Sequence, residues 1–167
     1  MKINFLDKRG EGSTFLAVKV IKILIAVICL IGLIALVVNI WYASSVDTNF
    51  KEAEASLNNK IYPEIQRVNS GESGNPEGLQ IPSPSSWYII GFTEDVKPNS
   101  CVGQKCICIC DVYFLDSIKS QAKKCDNGGV CKIVPELISF EKIKIERNGI
   151  FISIKQTEDG IGVMQWT

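Results

Sequence analysis

The chain has 167 residues with 18 basic and 18 acidic side chains, so its formal net charge is zero and no concentrated basic face for nucleic acid is expected. Histidine is absent, which removes imidazole general bases, Ser-His-Asp and Cys-His nucleophiles and imidazole metal sites. Once a membrane segment and its flanks are set aside, the length leaves room for one small domain.

Val20 to Trp41 reads VIKILIAVICLIGLIALVVNIW, and no residue from Ile23 to Val38 is charged or strongly polar. At ~1.5 Å per residue the run spans roughly 33 Å, enough to cross a bilayer core of about 30 Å. Lys19 and Lys22 stand at its entry, where long cationic side chains snorkel to the interface. Trp41 and Tyr42 close the other end as interfacial aromatics. Lys2, Lys8, Arg9, Lys19 and Lys22 precede the apolar core, and the first basic residue after it is Lys51. The positive-inside rule then makes 1–19 a cytoplasmic tail or leader and 20–42 a transmembrane helix. Residues from about 43 onward fall outside the cell membrane. The core exceeds the ~7–15 apolar residues of a cleaved secretory signal, so a retained single-pass anchor is expected.

Residues 43–69 read as a stalk helix capped by Asp47 or Thr48. Phe50, Leu57, Ile61, Ile65 and Val68 recur at helical spacing, and Ala53 joins their face. The stripe is short and lacks sustained heptads, so it is expected to pack on the chain's own head. Self-association through the stalk or the transmembrane helix is the alternative. Pro63 predicts a kink or a fresh helix start. Residues 70–86, rich in Gly, Ser and Pro, read as a loop and stiff connector.

The head, 87–167, has strand composition. WYIIGFT (Trp87 to Thr93), KCICICDVYFL (Lys105 to Leu115) and CKIV (Cys131 to Val134) are strand candidates. Asn148-Gly149 lies between two alternating apolar runs and predicts a type I′ hairpin. A phase slip at Lys142 suggests a bulge in the incoming strand. Asp159-Gly160 is a further turn before IGVMQW. One mainly antiparallel sheet of five or six strands is expected.

Of seven cysteines, Cys29 lies in the apolar helix and reads as a small apolar residue. Cys101, Cys106, Cys108, Cys110, Cys125 and Cys131 all fall on the expected outer side, where disulfides persist. Six cysteines allow fifteen connectivities. On a strand, Cys106, Cys108 and Cys110 share a face, with the outer two about 13 Å apart. One metal ion needs its sulfurs within roughly 4 Å of each other, so all three cannot reach it. Neighbours at i and i+2 stand about 6.6 Å apart with parallel side chains, too far to bridge each other easily. Cys101 could close on Cys106, leaving Cys108 and Cys110 for Cys131 and Cys125. A metal centre stays open if the run is a loop, and a thiol redox device if a thiol is exposed with a lowered pKa. Glu72, Glu94, Asp95, Asp126 and Glu136 read as solvated loop carboxylates. No catalytic residues, cofactor or metal are expected.

DKRGEGSTFLAV resembles the prepilin-type leader of archaeal pilin-like proteins, in which a short basic leader ending in Gly is cut before a long apolar helix. The resemblance implies cleavage between Gly10 and Glu11 and packing of the helix in a surface filament. Gly12, Lys19 and Lys22 depart from that pattern. The basic leader, the IAVICLIGLIALV span, EAEASL, GESG, WYIIGF and the CxCxC run together resemble small single-span archaeal membrane proteins with a Cys-rich extracytoplasmic head. That resemblance implies location and architecture and carries no activity. The expected class is α+β: an anchor helix, an amphipathic stalk, and a disulfide-rich head that binds or supports a surface protein partner.

Overall fold

A computed structural model describes residues 11–166, apart from the side chains of 11–17, Tyr42 and Ala43. Gly10 and the basic tail residues Lys2, Lys8 and Arg9 lie outside the described residues, as do the side chains of Glu11 and Tyr42. Helix α1 spans Glu11–Ser56. No break separates its apolar part from the expected stalk, and Asp47 is an interior residue paired with Lys51 at 2.6 Å rather than a cap. Large apolar side chains from Val18 to Trp41 are all at least 47 % exposed. Among the described residues, this one helix is long and apolar enough to cross a membrane by length and composition. The chain divides into two compact units at Ser45/Val46.

In the second unit the stripe is core. Ala53, Leu57, Ile61, Ile65 and Val68 are buried, whereas Phe50, expected on the same face, remains 38 % exposed. The helix widens to a π turn over Leu57–Ile61, and α2 (Tyr62–Asn69) starts anew with Pro63 in its first turn. Proline supplies no N–H and its ring clashes with the carbonyl four residues back. A widened turn accommodates it without abandoning the helix direction. Glu64 accepts from Arg67 Nη2 at 2.7 Å and from the Asn75 amide at 2.8 Å. The Arg67 guanidinium holds its carboxyl below the usual range.

Among the described residues, seven strands form two sheets rather than one. β1 (Leu79–Ile81), β6 (Ile150–Thr157) and β7 (Gly160–Gln165) form the first, in the order β1-β6-β7. β2 (Tyr88–Phe92), β3 (Cys106–Cys110), β4 (Val130–Ile133) and β5 (Ile143–Lys144) form the second, in the order β4-β3-β2-β5. Every strand pair is antiparallel. A helix, α3 (Ile118–Gly128), follows β3 and was not expected.

Two further expectations change. The segments flanking Asn148-Gly149 are not hairpin partners: β5 pairs with β2, and β6 pairs with β1 and β7. Gly149 has φ +80° but Asn148 does not have positive φ, so the turn is not type I′. The Gly149 amide donates to Glu146 O, turning the chain from one sheet to the other. β6 instead closes on β7 through Glu158-Asp159, with six residue pairs in register from Ile152↔Gln165 to Thr157↔Gly160. The expected bulge strand shrinks to Ile143–Lys144. The connector 70–86 supplies β1, and Ser56 Oγ donates to Ser83 O at 2.7 Å while Lys60 Nζ donates to Gln80 O at 2.9 Å. Stalk, connector and head therefore form one packed unit.

Alternation on β3 divides the core in two. Ile107 and Ile109 join the helix stripe and the inward residues of both sheets, including Ile89, Ile152 and Ile154. Cys106, Cys108 and Cys110 face the other way, with Tyr88, Ile90, Phe92, Val112, Ala122 and Cys125. Ile61, fully buried, sits in the first cluster. Ile61→Ala should cost about 2–5 kcal/mol in the denaturant midpoint of the detergent-solubilised chain. Ile34→Ala, at an exposed position, should change it by less than about 0.5 kcal/mol. Equal effects would remove the stripe from the core.

Candidate functional site

Three disulfides line the outer face of β3. Cys101, at the end of a 3-10 turn, bonds to Cys106. Cys108 bonds to Cys131, its directly facing partner on β4, with the Cα atoms 4.1 Å apart. This separation matches the close, non-hydrogen-bonded pairs of an antiparallel ladder. Cys110 bonds to Cys125 on α3. Each β3 cysteine thus reaches a different element. Gly129 lets that last bridge close, because a Cβ there would stand 2.6 Å from Cys110 Sγ. Among the described residues, Cys29 is the one free cysteine.

The sulfurs lie closer together than the strand spacing implied. Cys106 Sγ and Cys108 Sγ are 3.9 Å apart. The sulfurs of Cys101, Cys106 and Cys108 fall within 4.8 Å of one another, as do those of Cys108, Cys110 and Cys131. The ~6.6 Å estimate describes Cα atoms, whereas side chains lean along the strand toward their own partners. Cys106, Cys108 and Cys110 still do not converge on one point. The ligand form of cysteine is the thiolate, and all six head sulfurs are bonded in pairs. In this state the row is a staple.

Beyond Cys110 the chain leaves the sheet. Lys105 to Leu115 was expected as one strand, but β3 ends at Cys110 and residues Tyr113 to Asp116 form a turn. The Asp116 amide donates to Tyr113 O at 3.1 Å, and the Tyr113 amide donates to Asp116 Oδ2 at 2.7 Å. Lys124 Nζ pairs with the same oxygen at 2.7 Å. Gln121 Nε2 donates to Asp116 O at 2.6 Å, and Lys142 Nζ donates to Phe114 O. The Lys124 hydrogen bond, then the Tyr113 amide, hold the Asp116 carboxyl below its ordinary value. Lys124 Nζ also lies 4.0 Å from the Tyr113 ring centroid, and Lys142 Nζ lies 4.9 Å from that of Phe114. The sequence signal for this turn was the pair Asp116-Ser117. Ser117 caps α3, accepting from the Ser120 amide.

The expected loop carboxylates are exposed. Glu72 stands 3.9 Å from Arg67, and Asp126 accepts from the Ser100 amide at 3.1 Å. None of the five converges with another on a shared polar cleft. A cleft of about 760 Å³ runs along residues 68–76 and is lined across from them by Ser153, Lys155, Gln156 and Trp166. A second, of about 500 Å³, lies between Lys142–Lys144 and Val163–Gln165. No protein-family model matches the chain, and neither a curated protein nor a solved structure matches it.

Removing the bridges one at a time as alanine pairs should rank by loop length. Sequence separations are 23 for Cys108–Cys131, 15 for Cys110–Cys125 and 5 for Cys101–Cys106. The chain-entropy relation then gives losses of about 3.4, 3 and 2 kcal/mol, checked by denaturant titration. Asp116 gives a pH signature. Its lowered value means the stabilisation is present above the ordinary aspartate value of about 3.9 and is lost as pH falls through the folded value. The Tyr113 amide resonance should therefore titrate only below about pH 4. In Asp116→Asn it should not titrate.

Proposed function

We propose that the chain is a single-pass membrane protein whose disulfide-stapled unit works outside the cytoplasm as a binding or structural module. The observation that carries this reading is a helix of unburied apolar side chains in the same chain as three disulfides. Unburied apolar surface on that scale finds its solvent in lipid. Disulfides persist in oxidising compartments and are rare in the cytosol. The basic residues before the apolar core support a cytoplasmic N-terminus. The six head cysteines serve stability. Each β3 sulfur fixes a different element, as a small unit with a modest core requires.

A non-catalytic role is part of the proposal. The carboxyls of Glu64 and Asp116, held below their ordinary values by hydrogen bonds from Arg67 and Lys124, are both spent on bracing turns. Such groups hold a surface in shape and leave recognition to the side chains around them. A surface protein partner fits this role, and the single-span archaeal proteins that the sequence resembles share the plan.

Alkaline extraction of native membranes, followed by impermeant protease on sealed cells, tests the proposal. The chain should stay in the pellet, and the protease should release a fragment of the second unit whose pieces stay joined until its disulfides are reduced. A chain extracted as soluble, or protected from outside protease and cut only in inverted vesicles, would contradict it. Native N-terminal sequencing adds one outcome. A mature chain starting at Glu11 would favour the pilin-like reading of a processed filament subunit.

A further inference from the structure

The Tyr113–Asp116 turn carries the wrong residues for a solvated tip. Turn centres ordinarily take Gly, Pro, Asn, Asp or Ser. Here Phe114 and Leu115 hold those positions, and Tyr113, Phe114 and Leu115 are 73, 66 and 92 % exposed. Ile118, 42 % exposed in the first turn of α3, extends the apolar surface. The tip is not slack. Asp116, Gln121, Lys124 and Lys142 all bond to it, and the Cys110–Cys125 bridge ties the strand before it to the helix after it. An apolar tip held out this firmly has given up burial within its own unit.

Its surroundings identify the occupant. Lys124 and Lys142 lie against the Tyr113 and Phe114 rings, and Lys119 and Lys123 are exposed on α3 just behind. The acids nearby are Asp111, Asp116 and Glu141 and, on α3 itself, Asp126; Asp116 is paired with Lys124 and Asp126 accepts from the Ser100 amide, so the charges placed directly at the rings are the two lysines, Lys124 and Lys142. Aromatic and leucine side chains ringed by lysines are the composition of interfacial anchors on anionic lipid. A protein interface would want about 800 Å² of complementary surface per partner, which a four-residue tip does not offer. A bilayer needs no matching shape. The unit begins at Val46, directly after the apolar part of α1, so an anchored helix keeps the tip at high local concentration beside lipid.

We propose that Tyr113, Phe114 and Leu115 form a second membrane contact that enters the interface of an anionic bilayer. The proposal rests on α1 being the membrane anchor. The test uses the full chain in vesicles whose acyl chains carry bromine, made of phosphatidylglycerol or phosphatidylcholine. Leu115→Trp places a reporter at a position too exposed to disturb folding, and in a background carrying Trp87→Phe and Trp166→Phe the natural Trp41 alone reports on the anchor. The emission added by Leu115→Trp should be blue-shifted and quenched at least about two-fold more strongly in phosphatidylglycerol. Lys119→Gln with Lys123→Gln should remove that difference. Added emission that is water-like and unquenched, while Trp41 is quenched, would overturn the contact and leave the anchor standing. Unquenched Trp41 would overturn the anchor itself. Equal quenching in the two lipids would overturn the anionic preference. A photo-crosslinker at position 115 that captures protein instead of lipid in native membranes would overturn the bilayer as occupant.

Discussion

Strand β3 is buried along its whole length on both faces, and the rest of the second unit is arranged to cover it. A strand covered on one side could alternate apolar and polar residues. CICIC alternates two kinds of apolar residue instead. Its isoleucines supply volume to the larger core, where two sheets and the helix stripe meet. Its cysteines supply bonds on the side where little chain is left to make a core. β2 and β4 satisfy its backbone on both edges, so no part of it needs water.

The helix enters this arrangement as a structural member. The stripe from Ala53 to Val68 fills the space between the sheets, and Ser56 and Lys60 fix β1 to it by hydrogen bonds to carbonyls. The π turn and Pro63 adjust the helix where it meets the core. The same physical logic governs the Tyr113 turn at the opposite extreme of burial. There, polar bonds hold apolar side chains outward rather than inward.

Much of this was legible from residues alone. The uninterrupted apolar run predicts the exposed helix, since nothing in a small head could bury it. The spacing of Leu57, Ile61, Ile65 and Val68 predicts a core-facing stripe, because helical periodicity puts them on one face, although Phe50 at the same spacing stays exposed. The β3 register follows from CICIC, and Cys101, Cys125 and Cys131 are the partners the face left available. Other features depend on tertiary competition. Asn148-Gly149 carries a strong local hairpin signal, but β6 gains a longer ladder with β7 than β5 could give it. α3 hid behind a weak pattern, Ile118, Ala122 and Cys125, whose apolar face is completed by the disulfide layer. The outward turn of Tyr113 to Leu115 was masked because three apolar residues after a strand read as more strand, and only the following Asp116-Ser117 signals the break.

Mapping the disulfides of the native chain by mass spectrometry, after alkylation under denaturing, non-reducing conditions, tests the role of β3 most directly. Bridges Cys101–Cys106, Cys108–Cys131 and Cys110–Cys125, with Cys29 alone alkylated, are the result expected. Alkylation at Cys106, Cys108 or Cys110, or a bridge joining any two of these three, would contradict a strand pinned by separate staples.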